Sequence, residues 1–421
     1  MVALSKAVFP PMVKIKQTFP DSSLTNLSEK IKITLCSSEL KNSIKPGMRV
    51  GITAGSRGIN NIGKILHEVV CYLKELGAEP VLLGSMGSHG GGKSSGQRNL
   101  LESLGITEES VKAPIICSTE CVEIGYVFYG KVFLSKIALE CDAIVVVNRI
   151  KPHTSFYGDY ESGLLKMLVV GLGGPAGAAS LHRCPPHLLS RAVAEAGREI
   201  LRIAPVVMGL AIIEDAYDQT CKLVWVNSDS FLKIEKKLLK EARAYLPGLP
   251  TNKLDLLIVD EIGKNISGTG MDTNVIGRMR ICGTPEPTKP MINKIAVLDL
   301  TPESHGNAYG IGLADFTTTR LVDKLDRHTM YLNALTTSFT QRAMLPMIFS
   351  NDKEAVFSAL KSIKTTAPQK CRIIRIRNTL KLFEMLVSEA VFNEICEMSS
   401  ISAIKTSVHL EFDSKGNLSP F

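Results

Sequence analysis

Residues 49–77, "RVGITAGSRGINNIGKILHEVVCYLKELG", join a short apolar run to a longer amphipathic segment. The β-branched run around Val50 predicts a buried strand. A helix ending near Gly77 is predicted by apolar residues at helical spacing, which are Ile62, Ile65, Leu66, Val69, Val70 and Leu73. A strand that leads directly into a helix is the repeating unit of α/β folds.

The same alternation continues along the chain. Further buried strands are predicted near Val81, Val145, Ile258 and Val297. Strands that alternate with helices predict an α/β fold class, with two α/β domains whose sheets are largely parallel. A charged helical stretch runs into Pro247 and Pro250 just before a new strand. We therefore predict domains at residues 1–250 and 251–421, with an active-site cleft between them.

Composition and charge narrow the class of protein. Of the 421 residues, 45% are hydrophobic and 21% charged, which is ordinary for a globular protein, and the net charge of +8 suits an acidic small molecule or a phosphate. Without a basic tract interleaved with aromatics, we expect no nucleic-acid partner. The ten cysteines form no C-x-x-C pair, and no segment resembles a signal peptide or a membrane span. We expect a cytoplasmic protein with reduced thiols and no membrane partner.

Two glycine-rich turns follow predicted strands. Arg57 lies in the first, where glycines and a following helix favour an anion, although an exposed arginine in an ordinary turn is the simpler reading. His89 lies in the second among four glycines, either as a functional side chain or as part of a surface loop. Residues 87–94, "GSHGGGKS", also match phosphate-loop spacing. The polar, glycine-containing segment after them does not predict the long apolar helix that such a loop needs.

The segment 149–183, "RIKPHTSFYGDYESGLLKMLVVGLGGPAGAASLHR", places Lys166 inside an apolar run. Such a lysine can extend its ammonium to solvent. Alternatively, an apolar pocket lowers its pKa and makes it an amine nucleophile or a covalent attachment point. His153 and His182 flank it, and each alone is more often a structural histidine than a ligand. Together with His89 they indicate a site in the first half of the chain.

These residues resemble the motifs of the nickel-pincer lactate racemase family, best over residues 51–183. Arg57 matches the arginine of that family's turn, and His89 and His153 match its two catalytic histidines. Lys166 precedes His182 by sixteen residues, which is the family's spacing between the lysine joined to the cofactor and the histidine that binds nickel.

The resemblance implies the chemistry of a racemase or epimerase of an α-hydroxy acid, an isomerase. The cofactors would be nickel and a nickel-pincer nucleotide, pyridinium-3-thioamide-5-thiocarboxylic acid mononucleotide, linked covalently to Lys166 beside Gly173 and Gly174. His182 would bind the metal. Hydride would move from Cα to the cofactor and back through a keto acid, with His89 and His153 as bases. Cofactor biosynthesis proteins and a small-molecule hydroxy acid are the implied partners.

This chain matches the substrate-contacting segment of the family less closely. Asp272 and Asn274 are kept, but Arg280 stands at a lysine position and Gly277 at a glutamine position. With Arg57, Arg278 and Arg280 are the candidate substrate ligands. Their added charge and the apparent space at Gly277 favour malate or a sugar acid over lactate. Ala54 replaces an aspartate of the family, and Gly90 an arginine.

Two alternatives stay open on sequence alone. A zinc-dependent hydrolase could use His89, His153 and His182 as ligands, although it leaves Lys166 unexplained. A non-catalytic ligand-binding homologue would keep the fold without the cofactor. A polar cluster of no assigned role follows the strand near Val297, comprising Glu303, His305, Asn307 and Asp315.

Overall fold

A computed structural model describes residues 9–36, 39–364 and 367–421. Its strands are β1 (Met12–Gln17), β2 (Arg49–Ala54), β3 (Glu79–Gly84), β4 (Ile115–Ile116), β5 (Cys121–Val127), β6 (Gly130–Ser135), β7 (Ala143–Arg149), β8 (Val206–Glu214), β9 (Thr220–Asn227), β10 (Lys253–Val259), β11 (Met291–Val297), β12 (Phe316–Thr318), β13 (Met347–Phe349), β14 (Ile373–Ile376), β15 (Glu384–Ser388) and β16 (Ile401–Val408).

Its α-helices are α1 (Leu27–Cys36), α2 (Leu40–Ser43), α3 (Ile62–Glu75), α4 (Ser94–Ser103), α5 (Glu108–Val111), α6 (Lys136–Leu139), α7 (Leu164–Lys166), α8 (Gly174–Leu181), α9 (Leu189–Ile203), α10 (Phe231–Ala244), α11 (Thr273–Ile276), α12 (Thr319–Asp323), α13 (Arg327–Thr337), α14 (Asp352–Ser362) and α15 (Glu389–Ile395). A π-helical segment, Met167–Leu172, follows α7 directly.

The chain divides into two compact units. The N-terminal unit is Pro20–Leu246, and the C-terminal unit joins Pro247–Phe421 to the described residues before Pro20. The predicted α/β fold class is confirmed in both, and the predicted strands near Val50, Val81, Val145, Ile258 and Val297 are β2, β3, β7, β10 and β11.

The sheet of the N-terminal unit has the strand order β4-β3-β2-β7-β8-β9. All neighbours are parallel except β8 and β9, which are antiparallel. From β2 the chain proceeds outward to β3 and β4, then returns to β7 on the other side of β2. The direction of winding therefore reverses between β2 and β7, and open α/β sheets bind ligands beyond the strand ends at such a point.

Both faces of this sheet are covered. Along β7, Val145 and Val147 pack with the apolar stripe of α3, whereas Ile144 and Val146 pack with α7 and α9 on the opposite face. The predicted α3 stripe is buried along its whole length. Alternate residues of a strand point to opposite faces, so the near-continuous apolar run of β7 follows from burial on both sides.

The C-terminal unit contains an eight-stranded mixed sheet in the order β13-β12-β11-β10-β14-β15-β1-β16. Strands β10 to β14 pair in parallel, and β15, β1 and β16 are antiparallel to their neighbours. The first strand of the chain thus belongs to this unit, which differs from the predicted division into residues 1–250 and 251–421. Local sequence patterns identify a strand but not the sheet that it joins.

All ten cysteines are free thiols. Among the described residues, no single helix is long and apolar enough to cross a membrane, and Leu164–Leu172 with Gly174–Leu181 meets the criteria only when the two bent segments are taken together.

Candidate functional site

Three of the predicted site residues lie at one edge of the N-terminal sheet. Arg57 follows β2, His89 follows β3 and His153 follows β7. Because these strands are parallel neighbours, their carboxyl ends meet at the same edge. The topology therefore places the three residues at the point where winding reverses.

The loops after β2 and β3 pack against the π-helical segment that follows Lys166. A Cβ atom on Gly55 would lie 3.0 Å from Met167 Cε, and one on Gly171 would lie 2.9 Å from the Ser85 carbonyl oxygen. Gly87, with φ +59°, donates its N–H to Gly171 O at 3.4 Å. Such close backbone approach requires glycine. The packing of these loops on the π-helical segment brings Lys166 to the edge of the sheet. Such π-helical turns occur frequently at functional sites.

A sharp bend returns the chain toward Lys166. The axis turns by 114° between Leu164–Leu172 and Gly174–Leu181. Gly174 has φ +59°, and a Cβ on Gly173 would lie 2.1 Å from the Val169 carbonyl oxygen. Both glycines are therefore required by the bend itself, and their predicted contact with a cofactor stays a prediction. His182 follows α8 at its C-cap.

The ionisable side chains of the site shift one another's pKa values. Burial, and then the charges of Arg57 and Lys166, lower the pKa of His89 to about 4. Burial followed by Arg57 lowers the pKa of Lys166 to about 7, against an opposing effect of Glu161. Burial and then Lys166 also lower the pKa of His182. The structure thus brings Arg57, His89, Lys166 and His182 within electrostatic reach of one another, and their predicted roles stay predictions.

These side chains are surrounded by protein yet remain accessible. Arg57, His89 and His182 are exposed and Lys166 is partly exposed, although burial is the main cause of each lowered pKa. Solvent thus reaches all four side chains, even though protein atoms lie around them. A small molecule can therefore reach them.

Two cations of this group lack an ion-pair partner among the described residues. Within the described ranges, neither the Lys166 ammonium nor the Arg57 guanidinium has a hydrogen bond or an ion pair. By contrast, Arg149 pairs with Glu214, although its charge also lowers the pKa of Arg57. A charge that protein surrounds without a partner is costly, so an anionic or covalently attached ligand suits the site.

His153 joins the same site through Phe156 and Glu161. The His153 ring lies 4.4 Å from the Phe156 ring, centroid to centroid, and Lys166 Nζ lies 5.3 Å from the Phe156 centroid. The buried Glu161 carboxylate accepts the His153 backbone N–H at 2.6 Å and pairs with Arg243 at 2.5 Å. Sequence reasoning missed Glu161, because a glutamate in a polar loop gives no sign of burial.

A second buried carboxyl group supports the start of α7. Glu235 of α10 accepts the Leu165 N–H at 2.9 Å, and burial raises its pKa to about 7. Asn148 Nδ2 donates to Gly163 O at 2.7 Å. These two bonds fix the turn that presents Lys166. Sequence reasoning missed Glu235 as well, since the charge pattern of α10 is that of a solvated helix.

His89 also has a side-chain partner that the sequence did not indicate. Ser56 Oγ lies 2.5 Å from His89 Nδ1. The bond connects the turn after β2 to the loop after β3. It occupies Nδ1 of the imidazole ring and does not involve Nε2.

The residues fit the nickel-pincer nucleotide that the sequence resemblance implies. An unpaired lysine whose pKa lies near 7 is suited to covalent attachment through an amide-type bond, which removes its charge. A neutral His182 imidazole offers a lone pair to nickel. No three His, Cys, Asp or Glu side chains in the described part of the chain converge as metal ligands, so His89, His153 and His182 do not form the alternative zinc site.

Arg278 and Arg280 have protein partners within the C-terminal unit. Both pair with Asp315, at 2.8 and 2.7 Å, and both donate to backbone carbonyls. Gly277 has φ +58°, and a Cβ there would lie 1.9 Å from the Pro290 carbonyl oxygen. The inference of extra space at Gly277 is therefore wrong. Substrate binding by the two arginines stays a prediction, since it would have to replace these bonds.

Replacement of Lys166 by methionine is expected to stabilise the cofactor-free protein. The lysine pKa falls from 10.5 to about 7 on folding, so the unfolded chain binds more protons between these values and stability rises with pH across that window. The cost of the lysine is greatest below pH 7 and absent above pH 10.5. Lys166→Met should raise the Tm by on the order of 5 °C at pH 6, and by less at pH 10.

Thermal melts at the two pH values measure this difference. The matched control is Lys240→Met, because Lys240 is exposed on α10 and replacement of an exposed side chain usually changes stability little. A Lys166→Met variant that melts below the parent at pH 6 contradicts the burial of an unpaired ammonium.

Comparison with known proteins gives a family and a fold. A model of the family described as "Domain of unknown function (DUF362)" matches residues 44–283, more than half of the chain. No curated protein matches. Among seven matching chains of solved structure, the lactate racemase apoprotein from Thermoanaerobacterium thermosaccharolyticum is 12% identical, with a TM-score of 0.51 over 88% of this chain and 99% of that one. At this identity the likeness is one of fold.

Proposed function

We propose that this chain, which belongs to the family described as "Domain of unknown function (DUF362)", racemises or epimerises an α-hydroxy acid with a nickel-pincer nucleotide. The observation that supports this most is that Lys166 and Arg57, two cations without an ion-pair partner among the described residues, lie within electrostatic reach of His89, and Lys166 also of His182. The fold shared with lactate racemase apoprotein makes an isomerase the reaction class to test first.

Arg57 is the proposed carboxylate ligand. Its guanidinium is unpaired among the described residues, exposed, and next to a second guanidinium at Arg149. A planar guanidinium binds a carboxylate through two parallel hydrogen bonds, which fix orientation as well as position. A hydroxy acid held this way presents its Cα toward the neighbouring side chains.

His89 and His153 are the proposed bases. Each would accept or return the hydroxyl proton on one face of the substrate, because inversion at Cα requires a proton acceptor on both sides. His89 is neutral at pH 7, since its pKa lies at about 4. The His153 backbone N–H donates to Glu161, which supports its loop, and its Nδ1 accepts the Ser155 N–H at 3.0 Å. That bond places the proton of the neutral ring on Nε2, so His153 would act as a base only after the Nδ1 bond is released.

Lys166 and His182 are the proposed attachment point and metal ligand. When bound, the nickel-pincer nucleotide supplies a hydride acceptor, which avoids forming a carbanion next to the carboxylate. Glu235 and Asn148 hold the turn that presents Lys166. The bend at Gly174 returns the chain so that His182 lies within the electrostatic reach of Lys166.

The substrate is proposed only as a class. One carboxylate and one hydroxyl match Arg57 and the two histidines. A second carboxylate, as in malate, or the hydroxyls of a sugar acid stay proposals, because Arg278 and Arg280 are bonded to Asp315 in this structure. Assay of lactate, malate and aldonates side by side separates these substrates.

The non-catalytic alternative shares the anion site but not the covalent chemistry. A ligand-binding homologue would hold a carboxylate at Arg57 and leave Lys166 unmodified under all conditions. The two functions therefore differ in a property that does not depend on knowing the substrate.

The test is the mass and metal content of protein made in a host that expresses the cofactor biosynthesis proteins. We expect an added mass on Lys166 and nickel at about one per chain. Lys166→Ala should lose the added mass. His182→Ala should keep the organic adduct and lose most of the nickel, while the control Lys240→Ala should match the parent. An active enzyme whose Lys166 is unmodified contradicts the proposal.

A further inference from the structure

We infer that Ser56 is a positioning residue for the proposed reaction: its hydroxyl oxygen accepts a hydrogen bond from Nδ1–H of His89, which leaves Nε2 as the proton acceptor. The inference rests on the proposed function for its catalytic consequence. The hydrogen bond itself can be tested without activity.

The geometry of the pair is fixed from both sides. Ser56 Oγ lies 2.5 Å from His89 Nδ1. Ser85 N donates to Ala54 O at 2.8 Å and ties the end of β2 to the loop after β3, and His89 N donates to Met86 O at 3.1 Å. The two side chains are thus presented by backbone segments that are bonded to each other.

The surroundings decide the protonation state of the ring. Arg57 and Lys166 are the charged groups that act on His89, and both disfavour its imidazolium form. A neutral imidazole has one N–H and one lone pair, and the partner of one nitrogen sets the role of the other. If His89 is to accept a hydroxyl proton at Nε2, its own proton must be on Nδ1. The serine oxygen then acts as the acceptor.

The position of Ser56 also connects the two proposed functions of its turn. Ser56 and Arg57 are consecutive residues after β2, so one short turn supports the base through Ser56 and presents the carboxylate ligand through Arg57. The turn after β2 therefore contacts the base and presents the carboxylate ligand. A change at Ser56 should disturb the orientation of the base more than binding of the carboxylate.

The experiment compares Ser56→Ala with Ser56→Thr, which keeps the hydroxyl. In the full-length protein without cofactor, nitrogen-15 labelling of histidine reports which ring nitrogen has the proton, and His89→Gln assigns the signal. We expect the Nδ1–H tautomer in the parent and in Ser56→Thr, and a shift toward Nε2–H in Ser56→Ala. With cofactor loaded, Ser56→Ala should lower kcat by about tenfold with little change in KM, and Ser56→Thr should restore it.

The results of these experiments distinguish a failure of the Ser56 inference from a failure of the proposed racemase function. An Nε2–H tautomer in the parent protein overturns the inference, whatever the activity, and it needs no variant to fold. Labelling of Ser56 by a fluorophosphonate would also overturn it, since that identifies a nucleophile. If the parent has the Nδ1–H tautomer and Ser56→Ala shifts it, the pairing stands even where no racemase activity is found, and only the proposed function fails.

Discussion

In the cofactor-free protein, Lys166 is expected to be unprotonated in about half of the molecules at pH 7, because its pKa lies at about 7. An exposed lysine with a pKa of about 10.4 is unprotonated in roughly 0.04% of molecules at that pH, a difference of about a thousandfold. Burial is the main cause and the charge of Arg57 the second. Lys166 should therefore be acylated near neutral pH much more readily than an ordinary exposed lysine.

Competitive labelling with an acylating reagent and peptide mass spectrometry measures this. The labelling rate of Lys166 should rise with pH to a midpoint near 7, and exposed Lys240 is the comparison site. Two variants test the causes with opposite signs. Arg57→Gln should move the midpoint upward, and Glu161→Gln should move it downward, because Glu161 favours the charged form. A Lys166 labelling rate at pH 7 that does not exceed that of Lys240 contradicts the arrangement.

Loss of either proposed base is expected to lower racemisation by about 10²–10⁴-fold, the usual contribution of general acid–base catalysis. His89→Ala and His153→Ala should each have this effect with the organic adduct and nickel still in place, because each histidine would serve one face of the substrate. His187→Ala is the matched control, since His187 is exposed and has no assigned role. Racemisation in both directions, with mass and metal content, measures the effect.

The pH dependence of racemisation is a second test of the assignment of His89 as a base. A base must be unprotonated, so activity that depends on His89 should be lost only as the pH falls through about 4. Near-normal activity in either single variant contradicts the two-base assignment. A profile in which His89→Ala removes a step near pH 6.5 contradicts the lowered pKa of His89.

Much of the fold could be predicted from the sequence. The apolar runs that became β2, β3, β7, β10 and β11, and the stripe that became α3, follow from burial, which imposes periods of two and of 3.6 residues. The place of β1 in the C-terminal sheet could not be predicted, because strand pairing depends on residues hundreds of positions away. The pairing of Arg278 and Arg280 with Asp315 could not be predicted either, because these residues are distant in the sequence and meet only in the folded chain.

For the site, the residue types and spacings could be predicted from the sequence: an arginine and two histidines after strands, and a lysine sixteen residues before a third histidine. The tertiary structure alone decided that these groups act on one another and what supports them. Ser56, Glu161 and Glu235 became visible only there. From sequence alone, a serine or glutamate is expected to be exposed to solvent. Its burial and its hydrogen-bond partners depend on the packing of the folded chain and produce no local sequence pattern.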